Sequence, residues 1–221
     1  MSDTREQILQ RLRNGSATPL HRPNHRAERE REWWARQPAM TDPAARFLAE
    51  LDAVGTPHVE IPDWAAVPAA VGTWMAEYGV HSVMTGAVPA LDPLRQHLAG
   101  QHGVTLHTYT DGALAQQEAL FSVDCGITTV QAGIAETGSL LLVPTAEQPR
   151  LLSLAMPIHV ALLERRALVP TLAQWLENGE YRGEPPSNLV LISGASRTAD
   201  IELILSVGVH GPKVLLVALI G

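Results

Sequence analysis

Cysteine is nearly missing from this chain. Of its 221 residues only Cys125 carries a thiol. No intramolecular disulfide can form, and the chain alone cannot ligate an iron–sulfur cluster or a Cys-based zinc site. Lysine is just as scarce, with Lys213 the single one among 16 basic residues that face 23 acidic ones. The formal net charge of -7 argues against a general nucleic-acid binder, because such binding neutralises phosphates with Lys and Arg. Long apolar runs are absent too: none approaches the roughly 20 residues that span a bilayer. The opening MSDTREQILQRL lacks an apolar signal core, so a cytoplasmic, soluble protein without a membrane span is expected. The nine histidines form no HxH or HExxH pattern, and no metal site is expected. Neither GxGxxG nor GxxxxGK[ST] occurs, and there is no internal repeat.

What is present suits one folded body with an arm. Hydrophobic residues make up 46% and charged ones 18%, enough to bury a core. Residues 1–42 read as a short helix and an extended arm. Asp3 and Glu6 have capping-box spacing ahead of Ile8, Leu9 and Leu12, and Asn14-Gly15 stops that helix. The following HRPNHRAEREREWWARQP has no clean period, and Trp33 and Trp34 need covering, so the arm could reach across the body or onto a second subunit as a homo-oligomer contact.

From residue 43 to 221 helical and extended patterns alternate. Residues 44–54 read as helix closed by Gly55, 58–61 as strand, and 64–78 as helix with Gly79 as its C-cap. Strand-like runs at 81–85 and 105–109 flank the helical LDPLRQHLAGQHG, and 112–121 reads as a further helix. This order predicts an α/β fold, a mostly parallel sheet with helices on both faces. CGITTVQAGIAETGSLLLVP is strand-like with glycine interruptions, which predicts two strands and an added β-hairpin. Strands at 159–163, 189–192 and 214–219 and helices at 171–177 and near 199–206 complete the pattern.

The motifs IAETGSLLL (134–142), ISGASRTADIE (192–202) and GVHGP (208–212) resemble the signatures of the LUD-domain family, in particular its lactate-utilisation protein C members. Ala195 departs from that pattern, in which proline is more common. The resemblance implies a Rossmann-like fold similar to the CoA-transferase, ribose-5-phosphate isomerase and glucosamine-6-phosphate deaminase group. It also implies a component of a multi-protein system oxidising L-lactate to pyruvate. In that system two partner proteins would carry the iron–sulfur clusters, and this chain would be a subunit with no cofactor of its own.

The residues suggest where a ligand could sit. If 199–206 is helical, Ser193, Gly194, Ser196 and Thr198 would offer hydroxyls and free N–H groups at a helix N-terminus beyond a parallel strand, an anion-favouring place. Arg197 would add a two-pronged grip on a carboxylate or phosphate, with Asp200 beside it. The competing reading is a plain strand-to-helix turn, with Ser196 as cap and Arg197 paired to Asp200 or Glu202. Glu136, at a turn made by Thr137 and Gly138, could be a base or nucleophile, in a stand-alone enzyme of acyl-CoA transfer or phosphosugar isomerisation, or a solvated strand-end carboxylate. Asp124 could pair with it, and His210, between Gly208 and Gly211, could move protons or bind an anion. A third reading is a regulatory or scaffold module.

Overall fold

The computed structural model describes residues 5–11, 40–109, 120–178, 186–199, 205–208 and 211–221. The chain divides into two units, Met1–Met40 and Thr41–Gly221. In the first, the expected helix is present over residues 5–11.

Helix α1 (Pro43–Ala53) starts where Asp42 accepts from the Ala45 N–H at 3.0 Å and Pro43 takes the first turn, and it buries Phe47 and Leu51. Strand β1 (His58–Ile61) follows, then a short turn of 3-10 helix at Trp64–Ala66 and helix α2 (Val67–Tyr78). Gly79 ends α2 in the left-handed region at φ 64°, the C-cap its glycine predicted. Next come β2 (Ser82–Thr85), α3 (Asp92–Ala99) and β3 (Thr105–Thr108). After them lie β4 (Cys125–Thr129), β5 (Ala132–Ile134), β6 (Ser139–Leu142), α4 (Leu151–Leu154) and β7 (Ile158–Glu164). The chain closes with β8 (Leu168–Val169), α5 (Leu172–Glu177), β9 (Val190–Ile192), β10 (Arg197–Ala199), β11 (Leu205–Val207) and β12 (Val214–Ile220).

Six strands form one sheet in the order β1-β12-β7-β4-β2-β3, and every pairing in it is parallel. Because both faces are covered, its central strands read as continuous apolar runs such as VLLVALI. On one face Val83, Ile127, Val160 and Leu216 pack against Val71, Trp74 and Met75 of α2 and Leu94 and Leu98 of α3. On the other, Met84 packs against Leu152 of α4 and Met156. There Gly126 is indispensable: a Cβ on it would lie 2.0 Å from the Leu152 carbonyl oxygen. The α/β fold with helices on both faces of a parallel sheet is therefore as the element order indicated.

The segment read as two strands and a hairpin splits between two sheets. β4 joins the parallel sheet, while β5 and β6 form the hairpin of a second one, ordered β8-β5-β6-β9. β9 runs antiparallel to β6, so residues 189–192 do not continue the parallel sheet as their order suggested. Of the helix expected near 199–206, residues 200–204 lie outside the described residues, and the residues on either side are extended: β10 and β11 pair antiparallel, Arg197 opposite Val207 and Ala199 opposite Leu205. A short apolar run is decided by pairing rather than by period. The helix expected over 112–121 falls almost wholly outside the described residues. No described helix is long and apolar enough to cross a membrane.

Candidate functional site

The loop from Ser193 to Arg197 is held from three sides. The Ser193 hydroxyl is hydrogen-bonded to the Ser139 hydroxyl at 2.6 Å, and Ser139 in turn to the Thr137 hydroxyl at 2.7 Å. Gly194, at φ 134°, faces Val54 and Thr56 in the turn between α1 and β1. The Ser196 N–H donates to the Pro212 carbonyl, and the Ser196 carbonyl accepts from the Gly208 N–H, both at 2.9 Å. Arg197 donates from Nη2 to the Val54 carbonyl at 2.6 Å, at the C-terminal end of α1. A cation suits that end, where unpaired carbonyls concentrate negative charge.

These contacts join the motif around 137–139, the last turn of α1 and the 193–197 loop. Gly138 belongs to the same junction: at φ 62°, a Cβ there would lie 2.6 Å from the Glu50 Cβ. Of the anion cradle expected at a helix N-terminus, residues 197–199 are extended and the Ser196 N–H is already occupied, while residues 200–204 lie outside the described residues.

An open cleft lies beside the junction. It has a volume of about 170 Å³ and is lined by Val54, Thr56, Pro57, Tyr78, Arg197 and Lys213, with Ala195, Val214 and Leu215 completing its wall. All its elements adjoin the starts of β1 and β12, so it opens at the edge from which the parallel strands begin. Arg197 and Lys213 are exposed, and neither makes an ion pair among the described residues.

The carboxylates expected near the loop are engaged elsewhere. Glu136 accepts the Leu172 N–H on Oε1 at 3.2 Å, and its own N–H donates to the Pro170 carbonyl at 3.0 Å, so it fastens the hairpin to the start of α5. Asp124 accepts the His81 and Ser82 N–H groups at 3.0 and 2.9 Å and the Ser82 hydroxyl at 2.8 Å. Partial burial pushes its carboxyl upward, but the donors from His81 and Ser82 outweigh this and hold it below its ordinary value. It clasps β2 to β4 and has no contact with Glu136 among the described residues. His210 and Asp200 lie outside the described residues, as does the side chain of Thr198.

Other residues at the two sheet edges went unnoticed in the sequence. Lys213 and Tyr78 line the cleft but sit in no motif. Gln148 accepts from the Thr129 N–H and hydroxyl at 2.9 and 3.0 Å and donates to the Thr129 carbonyl at 2.9 Å. His159, fully buried in β7, is hydrogen-bonded through Nε2 to the Thr128 hydroxyl at 2.8 Å, and burial pushes its pKa down to about 3. It is a neutral core residue. Cys125 is also buried, with its thiol pushed up to about 12, which leaves it inert as a nucleophile. No group of three or more described His, Cys, Asp or Glu residues is placed to hold a metal ion.

With fold and junction in place, comparison with known proteins becomes informative. The LUD domain model matches residues 44–220, and the chain belongs to that family. It is 30% identical to the uncharacterized protein NMB1437 of Neisseria meningitidis serogroup B, over 96% of this chain and 91% of that one. It is 32% identical to lactate utilization protein C of Halalkalibacterium halodurans over 65% of this chain and 64% of that protein. The similarity to YkgG of Escherichia coli is 38% over 39% of each. A crystal structure of a DUF162 family protein from Deinococcus radiodurans superposes with a TM-score of 0.58, covering 81% of this chain and 96% of that one at 20% identity, which shows the shared fold.

Proposed function

We propose that this protein is a cytoplasmic component of an L-lactate utilisation system that oxidises lactate to pyruvate. It acts there as a small-anion-binding subunit without a redox centre, beside two iron–sulfur partner proteins. The observation that carries this reading is the LUD match over 44–220 together with relatives bearing the name lactate utilization protein C. The single cysteine is consistent with it, since clusters need several thiolates and partners would have to supply them. The cleft beside Arg197 gives an anion somewhere to bind. The acyl-transfer reading has no observation of its own, because the Glu136 carboxylate serves the first turn of α5.

Deleting the gene is expected to abolish growth on L-lactate while sparing growth on pyruvate. The tagged chain, expressed from its own locus, is expected to bring down two cysteine-rich partners. Lactate oxidation by the isolated chain with an artificial electron acceptor would refute the division of labour. Unimpaired growth on lactate would refute the role.

A further inference from the structure

The cleft at the strand-start edge is lined by two cations and by several apolar side chains. Arg197 is steadied by the Val54 carbonyl at 2.6 Å, and its guanidinium has further donors for another acceptor. Beside it stands Lys213, the only lysine of the chain. Its position is fixed twice over. Its N–H donates to the Pro157 carbonyl at 2.7 Å, and its stem crosses Gly208, where a Cβ would lie 2.1 Å from the Lys213 Cγ. The rest of the lining mixes the apolar Val54, Pro57, Val214 and Leu215 with the polar Thr56 and Tyr78.

Size limits the guest. About 170 Å³ is well under the roughly 300–1,000 Å³ of pockets that enclose drug-sized ligands, so a nucleotide or a CoA would not be enclosed. Charge and wall chemistry limit it further. Two cations that make no ion pair among the described residues favour an anion, and an inorganic phosphate, hydrated on every side, gains nothing from aliphatic lining residues. A short-chain carboxylate uses both kinds of lining: its charged end meets Arg197 and Lys213 while its carbons leave water.

Accepting the small-anion role proposed above, we propose that this cleft binds a small aliphatic carboxylate, with Lys213 and Arg197 gripping the carboxylate and the apolar lining residues selecting a short carbon chain. Lys213 is thereby assigned as a specificity residue outside the family-like motifs.

The test is titration of the full chain at low ionic strength with acetate, propionate, L-lactate and inorganic phosphate, followed by calorimetry and by backbone amide NMR. Saturable binding is expected, with shifts concentrated at 54–57 and 213–215. Affinity is expected to rise about fourfold from acetate to propionate, the worth of one buried methylene. Phosphate is expected to bind at least about tenfold more weakly. Arg197→Gln and Lys213→Met, both at exposed positions, are each expected to weaken propionate about tenfold, as loss of a charged hydrogen bond does. Phosphate binding as tight as propionate, shifts confined to other residues, or full affinity in both variants would overturn the assignment. Carboxylate binding in a protein whose deletion leaves growth on lactate intact would uphold the cleft and sink the lactate role alone. Loss of growth without carboxylate binding would do the reverse.

Discussion

The two edges of the parallel sheet are built on opposite plans. In open α/β sheets, ligands collect beyond the carboxyl ends of the strands, where the strand order reverses. Here that point lies between β2 and β4, since the chain passes from β2 outward to β3 and from β4 the other way to β7. Among the described residues, the chain folds back over it. Gly86 has the Glu147 carbonyl oxygen 2.7 Å from where a Cβ would stand, and the Ala87 N–H donates to that carbonyl at 2.9 Å. Gln148 closes three hydrogen bonds onto Thr129, and Arg95 donates to the Gly86 and Val88 carbonyls at 2.6 and 3.2 Å. At the strand-start edge, by contrast, the turn after α1 and the start of β12 leave an open, cationic cleft. A parallel sheet offers two rims, and which one stays open depends on where the connections fold back.

Three substitutions sharpen that contrast. The largest effect is expected from Gly126→Val, near the start of β4. Its side chain would collide with the Leu152 carbonyl and with the Met156 sulfur, 2.7 Å from the Cβ position, both above the sheet. Overpacking against backbone cannot relax by a rotamer change, and a loss of at least about 3 kcal/mol is expected in urea unfolding. Wild-type stability would mean that α4 is free to lift, and the second face is less closed than described.

Gln148→Leu comes next. It strips the half-buried N–H, hydroxyl and carbonyl of Thr129 of their partner at the other rim, an expected cost of about 1–2 kcal/mol. Carboxylate binding at the strand-start edge should not change. A parallel loss of binding would show that the two edges are coupled.

Asp124→Asn is the mildest and tests the start edge. The charged acceptor of His81 and Ser82 becomes neutral, and about 1 kcal/mol should be lost at pH 7. Because the folded carboxyl titrates below its ordinary value of 3.8, the unfolded chain takes up the proton first as pH falls. The Asp124 contribution is thus complete above that value and disappears as pH drops through the lower folded one. Acid unfolding curves should therefore fall more steeply for wild type than for Asp124→Asn below pH 4; identical slopes would remove Asp124 as a clasp.

Much of the fold was legible in the sequence. Gly55 after Val54 and Gly79 after Tyr78 mark helix ends by local chemistry, and α1 and α2 end where those residues put them. The strands of the parallel sheet read at 58–61, 81–85, 105–109, 159–163 and 214–219 fell within a residue of their positions. Less of the site could be read. Thr137, Gly138, Ser193 and Arg197 do meet at the end of α1, but Glu136 faces α5 and Asp124 faces β2. Nothing local in IAETGS says that a backbone N–H 36 residues later will take the carboxylate.

What the sequence settled unaided is whatever depends on neighbours along the chain: helix caps, strand period, the near absence of thiols and lysines, and the motifs that mark a LUD domain. What only the tertiary structure decided is whatever depends on partners far apart in the chain. β10 paired with β11, the Val54 carbonyl captured Arg197 across 143 residues, and Lys213 came to stand in the cleft with it. The physical reason is range. Backbone preference is set within a few residues, whereas a hydrogen bond or a cleft exists only once the chain has folded back on itself.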